Sequence, residues 1–78
     1  MKHVWIVSEY DPEVNEAGTS EILSVCATLE KAINFAAEWG NIDSEAMRRD
    51  WTDSTISCAW ENKQSNIHYF ITKHCVLT

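Results

Sequence analysis

The chain has 78 residues, 45% of them apolar and 23% charged, and its twelve acids against six bases give a formal net charge of −6. A chain this short supports one domain, 1–78, that buries only about 60% of its unfolded surface, which leaves little core to line a deep catalytic cleft and excludes a second domain. The apolar content excludes a disordered chain, and the acidic balance, with Arg48-Arg49 as the only adjacent basic pair, argues against direct nucleic-acid binding, which needs clustered cations.

Residues 3–8 (His3-Val4-Trp5-Ile6-Val7-Ser8) are β-branched and aromatic and predict a first strand. The apolar run is broken by Ser8-Glu9 and is too short for a membrane span or a secretory leader. Asp11-Pro12 and Gly18 mark a loop, and a second apolar run, 21–27, completes a hairpin with a long acidic connection. Thr28 suits an N-cap, Glu30 favours the first turn of a helix, and Gly40 suits the position after its end, which predicts a helix over 29–39.

On that helix the apolar residues, from Leu29 to Trp39, span an arc of about 200°. The arc is wider than one sheet contact, so Phe35 and Trp39 call for a second cover. Met47 and Trp51 offer one, in a short helical turn capped by Asp43 or Ser44. Residues 54–60 and 67–77 are rich in β-formers and predict a hairpin across the polar 61–66. Setting Trp60 opposite Ile67 puts Cys58 opposite Tyr69 and Ile56 opposite Ile71, which makes one face apolar. The other face then carries Ser57, Ala59, His68, Phe70, Thr72 and His74. The expected fold is α+β: an antiparallel four-stranded sheet in ββα(α)ββ order, one main helix on one face and a short helical turn.

Cys26, Cys58 and Cys75 are odd in number and widely spaced, with no leader before them, so they read as thiols of a reducing cytoplasm. Zinc sites bring ligands in close pairs, and none occurs here; His74 and Cys75 are neighbours on a strand and point apart. Asp11-x-Glu13-x-Asn15 is similar to the start of a calcium loop, but Glu16 stands where the turn needs glycine and Ile22 where the bidentate acid belongs. With two glycines in the chain, phosphate-cradling loops and nucleophile elbows are nearly excluded. We expect no catalytic residue, metal or cofactor.

Two surface features remain. Between Lys2 and Lys31 there is no Lys or Arg, and the acids Glu9, Asp11, Glu13, Glu16 and Glu21 would create a negative field that steers a basic partner. The outer sheet face, with His68, Phe70 and His74 joined by Trp5 and His3 if the first strand lies alongside, is an aromatic patch of the kind that marks an interface. A covering by residues 43–52 would remove that patch, and both arrangements fit the sequence.

The pattern Val4-Trp5-Ile6-Val7-Ser8-Glu9-Tyr10, followed by a strand that ends in Ala27-Thr28-Leu29-Glu30-Lys31-Ala32, resembles small accessory domains of bacteriophages and mobile elements. In size and charge the chain is similar to anti-CRISPR, anti-restriction and immunity proteins, including DNA mimics. The resemblance covers the first half of the chain and carries over no functional residue. It implies a phage-type inhibitor or modulator acting in the host cytoplasm, whose carboxylates occupy the Arg and Lys groups with which a host protein otherwise holds phosphates. Two other readings stand beside it: a homo-oligomeric assembly protein, such as a homodimer, that uses the outer sheet face, and a small ligand-binding domain or enzyme with its site at a dimer interface.

Overall fold

Strand-forming residues dominate the first and last thirds of the chain, and these thirds pair with each other. The computed structural model describes residues 2–16 and 18–77. In chain order the elements are β1 (Lys2–Tyr10), β2 (Glu21–Cys26), α1 (Leu29–Gly40), α2 (Ser44–Asp50), β3 (Ser57–Asn62) and β4 (Ile67–Val76). The fold is α+β, with one antiparallel sheet in the order β2-β1-β4-β3. The two central strands, β1 and β4, are paired from Lys2↔Val76 to Tyr10↔His68.

Strand alternation assigns each side chain to a face. Trp5, Val7 and Glu9 of β1, Tyr69 and Ile71 of β4, and Cys58 and Trp60 of β3 share the inner face. Ile71, Val7, Ile33 of α1 and Met47 of α2 are almost fully buried together, and each stabilises by about 1.5–3 kcal/mol. Between Val7↔Ser24 and Ser8↔Ile22 the register skips Leu23. This bulge lets Leu23 pack on the core while its neighbour Ile22 points out.

Thr28 caps α1, its hydroxyl accepting from the Lys31 amide at 3.2 Å. Asp43 caps α2 in the same manner, accepting from the Glu45 amide. Arg48 reaches back from α2 to the Glu30 carboxylate and to Asn34 of α1. Trp60 donates its indole N–H to Asp50 at 2.9 Å, which ties the end of α2 to β3. Both helices therefore lie on the inner side of the sheet, and the covering of the outer face by residues 43–52 does not occur.

Gly40, expected just past the helix, is its last residue, and Asn41 takes the left-handed conformation (φ 52°). Gly40 is needed for closeness instead: a Cβ there would stand 2.8 Å from Cε2 of the buried Tyr69 ring. The β3–β4 register also differs from expectation, with Trp60 opposite Tyr69, Cys58 opposite Ile71 and Asn62 opposite Ile67. Asn66 adopts a positive φ (60°), which shortens the turn and moves the pairing by two residues. A shift of two preserves the faces. Asn62 fastens this turn. Its amide N–H₂ donates to the Gly40 carbonyl at 2.6 Å, and its oxygen accepts from the Gln64 and Ser65 amides.

Candidate functional site

The acids singled out in the sequence lie at one end of the sheet. Glu9 and Glu21 face each other across β1 and β2, a like-charge pairing that destabilises unless something else satisfies it. One Glu9 oxygen accepts the Trp39 indole N–H at 3.2 Å. Asp11 begins the connecting loop. Its carboxylate accepts the Glu13 amide at 3.0 Å, its carbonyl accepts the Asn15 amide at 2.7 Å, and its own N–H donates to the Asn15 side chain. The Glu16 carbonyl accepts both the amide and the hydroxyl of Thr19, and Gly18 supplies the positive φ (86°) that closes the turn. These bonds are mostly made by backbone groups, which leaves the Glu13, Glu16 and Glu21 side chains exposed in solvent.

Among the described residues the ion pairs are Arg48–Glu30 and His68–Glu61, so none of the five acids is paired with a described base. Their field reaches inward. Burial, with the charges of Glu9 and Asp11 adding to it, pushes the Tyr69 hydroxyl above the ordinary phenol range. The C-terminus of α1 ends on the same side, carrying Glu38 and no basic residue in its last turn, so its dipole adds negative potential where a cation would normally sit. The opposite end of β1 and β4 holds Lys2, His3, Lys73 and His74. The sheet thus carries an excess of acid at one end and of base at the other, although the β3–β4 turn brings Lys63 to the acidic end.

The cover expected over Phe35 and Trp39 does not reach them both. Met47 enters the core and Trp51 packs beside it, while Trp39 stays 57% exposed, stacked on Phe35 with centroids 5.8 Å apart. Trp39 was not singled out as a site residue. Its place at the edge of an over-wide helical arc was the available signal.

The second expected patch is partly assembled. His68, Phe70 and His74 share the outer face of β4. Trp5 and His3 do not join them: the pairing turns Trp5 inward, where it packs on the core beneath the Lys73 ammonium. In its place β1 contributes Val4, Ile6, Ser8 and Tyr10. Next to them on β2 are Ile22 and Val25, 66% and 59% exposed. The Gly18–Ser20 bend rims a shallow hollow of about 410 Å³ floored by Phe70, Tyr10 and Thr72. His68 meets Glu61 at 3.3 Å and tilts against Tyr10.

The three cysteines differ in setting: Cys26 is buried, Cys58 half-buried and Cys75 exposed. Burial pushes the Cys58 thiol up, away from a reactive thiolate. Among the described residues no three His, Cys, Asp or Glu side chains gather so as to hold a metal ion, and no helix is long and apolar enough to cross a membrane. Compared with protein-family models, curated proteins and solved structures, the chain matches none.

Proposed function

We propose that this chain is a non-enzymatic protein-binding module, a phage-type inhibitor or modulator that docks its acidic end on the basic surface of a host nucleic-acid-handling protein. The observation that supports it best is the set of carboxylates at 9–21, with Glu13, Glu16 and Glu21 exposed, Glu9 and Asp11 half-buried, and none in an ion pair among the described residues. Glu9 opposite Glu21, and Glu38 at the negative end of α1, carry a local cost that a cationic partner would relieve. Such a partner's Arg and Lys groups would exchange phosphate oxygens for carboxylate oxygens. Nucleic acid and this protein would then compete for one surface.

Replacing Glu9, Glu13 and Glu16 by Gln and Asp11 by Asn tests this directly. Immobilised chain is expected to capture basic nucleic-acid-binding proteins from a bacterial lysate at low salt, to release them on adding duplex DNA, and to lose at least about tenfold in affinity after the four substitutions. Equal capture by the substituted chain would reject the proposal.

A further inference from the structure

We propose that the outer face of the sheet is a self-association surface on which a second copy of this chain packs, sheet against sheet, with the strands of the two copies running antiparallel. The case begins with β1. Val4-Trp5-Ile6-Val7 shows no polar alternation, the pattern of a strand buried on both faces. The helices cover only Trp5 and Val7. Val4 and Ile6 point the other way, into a surface shared with Phe70 and flanked by the exposed Ile22 and Val25.

Charge identifies the occupant. Although 23% of the chain is charged, the centre of this face carries no Asp, Glu, Lys or Arg. Lys2 stands at one end and Glu61 at the other. A strongly charged partner finds nothing there to pair with, whereas a second copy brings a matching neutral centre. A two-fold axis lying across the strands sets the Lys2 end of each copy over the Glu61 end of the other. The alternative, an axis along the strands, stacks the two acidic ends together and is disfavoured by repulsion.

Four strands about 4.8 Å apart and about 25 Å long present on the order of 500 Å² in projection. Two such faces bury about 1,000 Å² or more, the lower edge of a specific interface, so the dimer should be reversible. The surface is separate from the acidic end and leaves it free at both extremities of the dimer.

Sedimentation of the unmodified chain from about 1 µM to about 1 mM, the range in which a small interface dissociates, is expected to show a monomer–dimer equilibrium. Val25→Glu and Phe70→Ser, each checked for retained fold by circular dichroism, should each weaken it at least about tenfold. A monomer throughout the range overturns the proposal. So does a dimer that persists in Phe70→Ser, since pairing through the β2 edge would survive that change. If either variant fails to fold, concentration-dependent methyl shifts in the unmodified chain decide: movement at Ile6, Ile22 and Val25 supports the outer face, and movement confined to other methyls refutes it. For the strand direction, Lys2→Glu or Glu61→Lys alone should weaken the dimer about twofold to fivefold and the double exchange restore it; no loss in either single variant overturns the antiparallel arrangement. The amide replacements at 9, 11, 13 and 16 should leave the dimer intact whether or not they abolish partner capture.

Discussion

The two faces of this sheet are built from the same kinds of residue and meet different fates. On β1, Trp5 and Val7 point toward two helices, while Val4 and Ile6, equally apolar, point toward no helix or strand among the described residues. Composition therefore does not decide which face becomes the core; the helices do, because α1 presents Ala32 and Ala36, small enough to approach the strands closely, with Ile33 buried beside them.

The sharpest way to break the comparison is to truncate one residue on each face. Ile71→Ala removes a side chain with no exposure at the centre of the core and should cost about 2–5 kcal/mol in urea unfolding. Val25→Ala, measured at a concentration low enough to keep the chain monomeric, should cost no more than about 0.5 kcal/mol. Equal losses would mean that the outer face is as tightly packed as the inner one.

A smaller effect is expected where the inner face meets the end of α1. Gly40→Ala gains helix propensity but drives a methyl into the Tyr69 ring, which is 4% exposed and cannot swing aside. The net loss should be about 1–2 kcal/mol, seen as a lower midpoint in the same unfolding curves. Neutral behaviour would show that the ring has room.

The smallest effect sharpens the electrical contrast between the two ends. Because the Tyr69 hydroxyl is raised in the folded state, its contribution to stability is fully present below the ordinary phenol range and is lost as pH climbs through it toward the raised value. Replacing Glu9 by Gln and Asp11 by Asn should lower the Tyr69 titration midpoint, followed by phenolate absorbance, while leaving part of the shift that burial causes. An unmoved midpoint would show that those charges do not reach the ring.

Much of this was legible in the sequence. Thr28, with its hydroxyl spaced for an N-cap, and the β-branched runs were read correctly because local chemistry alone determines them. The phase of β1 was not, since four consecutive apolar residues from Val4 to Val7 carry no alternation, and only the pairing with β4 turns Trp5 inward. The role of Gly40 was misread because a glycine near a helix end serves equally for a positive φ or for close approach. Leu23 is hidden for a similar reason: a bulge has no signature when the residues on both sides of it are apolar. Of the candidate surface, the acids were visible as a run without bases, whereas the exposure of Trp39 depended on how far α2 extends.

Asn62 sits where three parts of the chain meet. Its side chain closes the β3–β4 turn with one atom and holds the final carbonyl of α1 with another. The turn and the helix terminus consequently cannot fray one at a time: opening either strips a partner from the same amide, so the two should exchange their protons with solvent as one cooperative unit.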